Sequence, residues 1–262
     1  MTELKKLLSI IQDVAAGNYS NDIMPLTGPD VPEPVRTIAE AMGMMMVRVE
    51  AREFHLEMLI SELKALNEKI RLNTIQTIST MANALAARDT YTKGHTERVA
   101  NLAEQIAMEM GLEKQDIEYI RLGGLLHDIG KIGFPDLLFQ PHPGKNPPEV
   151  VKQITMHPAV GAEILKDLDF LGPALEYVHA HHERPDGKGY PRRLKDADIP
   201  LGAKIIAVAD SFDAMTTERP YQQAFTPNAA LDILQRHAGS KWDADCVECL
   251  RRHLQRSGAI EG

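Results

Sequence analysis

Residues 123–133 read GGLLHDIGKIG, an apolar run that ends in an imidazole beside a carboxylate, His127 and Asp128, with Lys131 three positions beyond. Neutral imidazole and ionised carboxylate both bind divalent first-row metals, and one carboxylate can bridge two ions. A lone His-Asp pair arises by chance in many chains. Here, further histidines and another aspartate stand in apolar, turn-bounded stretches on either side. We therefore predict that His127 and Asp128 form the centre of a metal cluster.

The composition narrows the class of protein. The chain has 262 residues, 44% of them hydrophobic and 25% charged, which is typical of a globular protein with one substantial core. Its formal net charge of −8 argues against DNA or RNA as a partner, because a phosphate-backbone binder needs a basic stripe. We expect no membrane span and no secretory signal, since the sequence has no long apolar run and starts with MTELKK. Its two cysteines, Cys246 and Cys249, indicate packing positions in a cytoplasmic protein.

The first fifty residues predict two helices and a connector. Apolar residues repeat every three or four positions over 3–16, which indicates an amphipathic helix, and a second such pattern covers 35–49. A connector rich in proline and glycine, 24–34, lies between them. This order, with Gly-Asn-Tyr-Ser closing the first helix, resembles a HAMP signal-relay unit over residues 1–50. A helical hairpin without a signalling role is the alternative.

Residues 51–73 predict a helix that pairs with another helix. Their apolar positions step by three and four, as in a coiled coil, and charged residues flank them. We call these positions the seam; they are Leu56, Leu59, Leu63, Leu66 and Ile70. An apolar seam buries best against a partner helix, so we predict a parallel homodimer through the N-terminal helices. The alternative is that the seam packs on the domain that follows in the same chain.

From residue 74 onward the apolar pattern stays helical. The Pro-Pro pair at 147–148 predicts the start of one helix. His157, which precedes Pro158, is placed at the mouth of another. The stretch 201–215 could be mistaken for a buried strand, but its length and alanine content favour a buried helix.

The chain also has six motifs in a fixed order. They are DTYTKGH (89–95), LLHDIGKIG (125–133), MHPAVGAEIL (156–165), HHERPDGKGYP (181–191), IPLGAKIIAVADSFDAMT (199–216) and ERPY (218–221). Together they resemble, from about Asn83 to Leu250, the HD-GYP family of bacterial cyclic-di-GMP phosphodiesterases. The resemblance implies an all-α fold in which an HD-type helical bundle follows the HAMP-like unit and a coiled-coil linker helix.

The same resemblance implies two sets of metal ligands that share Asp128. The first set is His95, His127, Asp128 and Asp210. The second set is Asp128, His157, His181 and His182. Mixed nitrogen and oxygen ligands with open positions suit iron or manganese better than a closed structural zinc site. We therefore expect two divalent metal ions, iron or manganese, about 3.5–4 Å apart with Asp128 as the bridge.

Further residues are expected to act on the substrate. Lys131 is placed to neutralise a phosphate oxygen as charge develops, which makes it catalytic together with Asp128. Gly187 and Gly189 are expected to free the loop backbone for positive φ angles. Tyr190 is placed to stack on or bound a guanine. A structural role, or a docking surface for partner proteins, is the alternative for this loop.

Two positions depart from the family pattern. Some members have a glutamate four residues before the first histidine and gain a third metal, whereas this chain has Tyr91 there. Arg219 is expected to bind phosphate. In the family a basic residue often follows the Arg-Pro-Tyr segment, whereas this chain has Gln222 there. Preference for cyclic di-GMP over a related cyclic dinucleotide is therefore left open.

The sequence thus predicts three domains: a HAMP-like unit (1–50), a coiled-coil linker helix (51–73) and an HD-GYP phosphodiesterase domain (74–262). The predicted function is metal-dependent hydrolysis of cyclic di-GMP to linear pGpG, and further hydrolysis to GMP is left open. One alternative is a non-hydrolytic sensor of cyclic dinucleotides or a partner-docking module. Another is an HD phosphohydrolase that acts on a different nucleotide. The expected partners are the cyclic dinucleotide, a second copy of the chain and signalling proteins.

Overall fold

The computed structural model of the protein describes residues 2–19, 22–86, 94–134, 147–218 and 223–260, with side chains omitted for 82–86. Within these ranges the chain forms nine α-helices and no β-strand, so the predicted all-α fold is confirmed. The helices are α1 Glu3–Ala15, α2 Glu33–Ala86, α3 His95–Glu109, α4 Lys114–Leu126, α5 Pro148–Leu165, α6 Ala174–Ala180, α7 Leu201–Thr216, α8 Pro227–Arg236 and α9 Ala244–Arg256.

The chain divides into two compact units, Met1–Leu72 and Asn73–Gly262. In the first unit, Leu7 of α1 is buried with Val35 and Ala39 of α2. The connector adds one turn of 3₁₀-helix, Met24–Leu26, which contributes Leu26 to the same core. The predicted order of helix, connector and helix is therefore confirmed. The HAMP-like interpretation and the division into three domains stay predictions.

Helix α2 is longer than the sequence patterns suggested. The stretches 35–49 and 51–73, together with the helical start of the last predicted domain, lie in one helix of 54 residues. The physical reason is the absence of a strong breaker: no proline stands between Pro34 and Pro135, and Gly43 is the one glycine within the helix. The predicted boundaries between these stretches are therefore not helix ends.

The second unit is built around α7. Ile205, Ile206, Val208 and Ala209 of this helix are completely buried in the main apolar cluster. The cluster draws its other members from α3, α4, α8 and α9 and from Ile260 beyond α9, and it includes both cysteines, which are buried and unpaired. The predicted buried helix at 201–215 and the packing role of the cysteines are thus confirmed. A second apolar cluster lies between α4 and α6.

Helix α5 corrects the prediction that His157 stands at the mouth of a new helix. The helix starts at Pro148, as predicted, but it continues through Pro158 to Leu165. Proline has no N–H, so the carbonyl of Ile154 loses its intrahelical donor. The ring Nδ1 of His157 donates to that carbonyl instead, at 2.7 Å. The side chain beside the proline thus restores the missing hydrogen bond, and the helix is not broken.

In the described part of the chain, the structure contains no helix with the length and hydrophobicity that crossing a bilayer requires.

Candidate metal centre

Most of the predicted ligands stand at or near helix ends, where backbone groups lack intrahelical partners. Their positions are His95 at the start of α3, His127 and Asp128 after α4, His157 in α5, His181 and His182 after α6, and Asp210 in α7. Five helices therefore converge on one place. The structure brings all seven residues together there, and their role as ligands stays a prediction.

Three of the histidines are oriented in the same way. The Nδ1 atoms of His127, His157 and His181 each lie 2.7–2.8 Å from the carbonyl oxygen of the residue three positions earlier. A carbonyl oxygen can only accept, so each Nδ1 carries the hydrogen and each Nε2 is left with a lone pair. Histidines that bind metal through Nε2 are commonly held by such a bond at Nδ1. Local backbone geometry therefore orients these rings with Nε2 as the acceptor nitrogen.

Asp128 lies between the two predicted sets. Its Oδ2 is 3.4 Å from Nε2 of His127, and its Oδ1 is 3.4 Å from Nε2 of His157. The ligand atoms of His95, His127 and Asp128 all lie within 4.8 Å of one another. The ligand atoms of His157, His181 and His182 do so as well. One carboxylate thus faces a histidine of each set, which is the arrangement that a bridging ligand requires.

Two features of the ring nitrogens fit a bound cation. His127 is 1% exposed, and its Nε2 has no hydrogen-bond partner among the described residues. The Nε2 atoms of His157 and His181 lie 3.2 Å apart, although both rings carry their hydrogen on Nδ1. Buried acceptors that face each other or lack a donor cost free energy. One divalent ion beside His127 and a second beside His157 and His181 would satisfy these nitrogens, so the residues present fit metal.

Burial sets the protonation of the second set. It lowers the pKa of His157 and, together with the neighbouring imidazoles, places the pKa of His181 well below its usual range. Burial also lowers the pKa of His182 to about 3. These three rings are therefore neutral at physiological pH, which is the form that binds metal.

The first set is more anionic. Burial favours the neutral form of Asp128, but Lys131 and His127 outweigh it and hold its pKa well below the usual range. Burial also favours the neutral form of Asp210, but its hydrogen bond to His95 and the nearby imidazoles outweigh burial and lower its pKa. Burial would lower the pKa of His95, yet Asp210 and Asp213 raise it to about 9, so a metal that binds this ring must displace a proton. Two ionised carboxylates in a buried site attract a cation.

The expected substrate residues lie beside the cluster where they are described. Lys131 belongs to the 3₁₀-helix Ile129–Gly133, and its Nζ donates to Asp128 Oδ2 at 2.5 Å. The ring of Tyr190 lies 4.8 Å from that of His182, centre to centre. Tyr91, Arg219 and Gln222 lie outside the described residues.

The two loop glycines have different roles. Gly187 has φ 71°, so the prediction of a positive φ angle is confirmed there. For Gly189 that prediction is wrong, because its φ angle is not positive. A Cβ on Gly189 would instead lie 2.5 Å from Cα of Glu183 and from the amide nitrogen of Arg184. Glycine is required at this position for a close backbone approach.

Sequence reasoning missed three residues that shape the site. Asp213 accepts from His95 and from Arg98. The i, i+3 spacing of His95 and Arg98, and of Asp210 and Asp213, was the available signal, since it places each pair on one helix face. Glu183, 3% exposed, accepts from the backbone N–H groups of residues 192 and 194 and so fixes the far end of the loop.

We expect Gly130→Ala to destabilise the protein strongly. A Cβ at Gly130 would lie 2.0 Å from the carbonyl oxygen of His157 and 2.6 Å from the amide nitrogen of Gly161. Backbone atoms cannot move aside as a flexible side chain can, so the penalty should reach about 3 kcal/mol or more. Urea unfolding measures it. Gly133→Ala is the matched control, because a Cβ there meets no described atom within 4 Å. Equal stability of the two variants would contradict the close packing of α5 on this turn.

The fold and the site together define an all-α domain with a candidate divalent-metal centre. The chain belongs to the HD domain family, whose family model matches residues 79–246.

Named relatives extend the comparison. Over 207 residues the chain is 36% identical to the cyclic di-GMP phosphodiesterase response regulator RpfG of Xanthomonas campestris pv. campestris, covering 78% of this chain and 53% of that protein. Over 177 residues it is 34% identical to the 3'3'-cGAMP-specific phosphodiesterase 3 of Vibrio cholerae serotype O1, covering 68% of this chain and 38% of that protein. The chain thus spans about half or less of the length of these relatives.

A solved structure supports the fold. The crystal structure of a cyclic GMP-AMP specific phosphodiesterase of V. cholerae, V-cGAP3, superposes with a TM-score of 0.57 at 18% sequence identity. The superposition covers 71% of this chain and 49% of that one. At this identity the likeness concerns the fold alone.

Proposed function

We propose that the chain is a metal-dependent phosphodiesterase of the HD-GYP type that hydrolyses cyclic di-GMP to pGpG and onward to GMP. The observation that supports it best is the position of Asp128, whose two oxygens each face a histidine of a different set at 3.4 Å. A relative at 36% identity is named as a cyclic di-GMP phosphodiesterase. The ordered motifs of the sequence point to the same activity.

In this proposal the seven predicted ligands would hold two divalent ions, iron or manganese, and Asp128 would be shared by both. Such ions supply nucleophile activation and stabilise negative charge in phosphoester hydrolysis. The chain's own contribution is to fix the ligands before substrate arrives, since the three Nδ1 hydrogen bonds hold His127, His157 and His181 in place. Preorganised groups of this kind need little rearrangement during the reaction.

The substrate contacts in this proposal surround the centre. Lys131, whose side chain is 28% exposed, is close enough to the cluster to meet a phosphate oxygen. Its ammonium group would stabilise the charge that grows on the scissile phosphate. Tyr190, beside His182, would bound a guanine, and Gly187 gives the loop its turn. Arg219 would hold the phosphate from the ERPY segment.

The proposal is tested with a panel of substrates. Full-length protein loaded with Mn(II) is incubated with cyclic di-GMP, 3'3'-cGAMP and cyclic di-AMP, and products are separated by chromatography. We expect pGpG from cyclic di-GMP at the highest rate. One relative is named as specific for 3'3'-cGAMP. Faster turnover of 3'3'-cGAMP than of cyclic di-GMP would therefore show that the chain prefers the mixed dinucleotide. Binding of all three without any product would favour the non-hydrolytic sensor, which nothing in the ligand set supports.

We also propose a homodimer through the N-terminal helices. All five side chains of the seam are 39–59% exposed in the single chain. An apolar row of this length on one helix face is typical of a surface that a partner covers. The three-domain organisation, a cytoplasmic location and signalling partners belong to the same proposal.

Charges in the seam should dissociate the dimer. The full-length double variant Leu59→Lys/Leu66→Lys places cations where two copies would meet, and it is expected to be monomeric at micromolar concentration by light scattering. The double variant Ser61→Lys/Ala65→Lys adds the same charge on the outer face of the helix and should stay dimeric. A monomeric parent chain, or loss of the dimer in both variants, would contradict the seam as the interface.

A further inference from the structure

We propose that Asp213, clamped by Arg98, is a positioning residue that acts on one metal position and not on the other. The position concerned is the one that His95, His127 and Asp210 would form with Asp128. This inference rests on the proposed metal centre, but its test needs no catalytic turnover.

The geometry around His95 supports this role. Its Nε2 lies 3.3 Å from Asp210 Oδ1 in the cluster, and its Nδ1 lies 2.7 Å from Asp213 Oδ2 on the other side of the ring. Asp213 is buried, so water does not compete strongly for this bond. The imidazole is therefore held from behind with one nitrogen turned to the centre.

Arg98 holds Asp213 through two further hydrogen bonds. Its Nε donates to Oδ1 at 2.6 Å, and its Nη2 donates to Oδ2 at 3.0 Å. The two-point contact fixes the plane of the carboxylate as well as its distance. His95 and Arg98 come from α3, whereas Asp210 and Asp213 come from α7. The hydrogen bonds of Asp213 to His95 and Arg98 thus join α3 to α7 next to the candidate metal centre.

The other oriented histidines use a different kind of acceptor. His127, His157 and His181 donate to neutral backbone carbonyls, whereas His95 faces a carboxylate. A carboxylate acceptor makes the imidazole a more electron-rich ligand than a carbonyl does. The orientation of His95 in the first position therefore depends on a side chain that can be substituted, whereas the orientation of His127, His157 and His181 depends on backbone carbonyls that cannot.

Partners of this kind have a measurable effect in metal sites. Their removal typically weakens metal affinity by about 10–100-fold. If the Asp–Arg pair only stabilised the fold, its removal would lower the melting temperature and would not change one metal affinity relative to the other. The two explanations therefore differ in whether one dissociation constant moves relative to the other.

The test is a titration of the full-length, metal-free protein with Mn(II). Free Mn(II) is followed by electron paramagnetic resonance, which yields two dissociation constants. His95→Ala and His182→Ala identify which constant belongs to which position. Asp213→Asn keeps the size of the side chain but loses its charge. We expect it to weaken the constant identified by His95→Ala by about tenfold or more and to leave the other within threefold.

A matched control separates this effect from lost stability. Asp243 is also a partly buried carboxylate, and it caps α9 and pairs with Lys204 away from the centre. Asp243→Asn should leave both Mn(II) constants unchanged. Arg98→Gln frees one side of the carboxylate and should weaken the same constant as Asp213→Asn, by a smaller factor.

The outcomes are distinct. Two unchanged constants in Asp213→Asn, or two constants weakened alike, would overturn the inference while the metal centre stands. A parent chain that binds no Mn(II) would overturn the proposed metal centre itself, and with it the inference. A weakened constant that belongs to the His182 position would also overturn it, since the predicted ligand that Asp213 contacts, His95, belongs to the first set.

Discussion

Asp128→Ala is expected to remove both metal ions from the purified chain. The carboxylate is the one predicted ligand that faces both sets, and its two oxygens lie 3.4 Å from His127 and His157. Loss of a bridge takes a ligand from each ion at once, so both affinities should fall. Elemental analysis of protein purified without chelator should give about two ions per parent chain and about none in the variant.

The control for this prediction is Asp245→Ala, which removes an exposed carboxylate from the first turn of α9. It should keep the metal content of the parent. An Asp128→Ala protein that retains one ion at full occupancy would contradict the bridging role. A parent chain with zinc alone at full occupancy would contradict the expected iron or manganese.

Lys131→Ala is expected to keep its metals and lose most of its turnover. Lys131 Nζ contacts Asp128 Oδ2, so the cation stands at the centre where charge would grow on a phosphate. An interaction that strengthens in the transition state affects turnover more than substrate affinity. Loss of one preorganised donor typically costs about 10²–10³ in rate. Single-turnover kinetics with cyclic di-GMP, beside a binding measurement, separate the two effects.

Lys152→Ala provides the comparison, because Lys152 is exposed on α5 and its substitution removes the same charge from the chain. It should match the parent in both rate and affinity. A single-turnover rate of Lys131→Ala within threefold of the parent would refute the catalytic role of this lysine. A loss of metal in Lys131→Ala would show instead that the residue supports Asp128.

The candidate ligands could be predicted from sequence because metal chemistry restricts them to few residue types. His127 and Asp128 end an apolar helix, and that local context already placed them at a buried helix end. The remaining ligands required the ordered motifs, since chain order alone does not bring α3, α5 and α7 together. The structure places these residues side by side, and their occupancy by metal is a matter for experiment.

Several features could not be predicted from the apolar pattern and the motifs. The continuation of α5 through Pro158 depends on a side chain that replaces the lost backbone donor at Ile154. The need for Gly189 comes from a backbone approach to residues 183 and 184. Asp213 has a partner 118 positions away, and the i, i+3 spacing from Asp210 does not identify His95 as that partner. The continuity of α2 was not predicted, because 35–49 and 51–73 have separate apolar patterns and were assigned to separate domains.

The central claim, a centre of two metals that acts on cyclic di-GMP, is tested most directly by measuring hydrolysis against metal content. Metal-free, full-length protein receives Mn(II) in steps, and the rate of pGpG formation is plotted against bound ions per chain. The account predicts no rate without metal, little rate up to the first equivalent, and a plateau near two. A full rate at one bound ion, or hydrolysis by the metal-free chain, would contradict it.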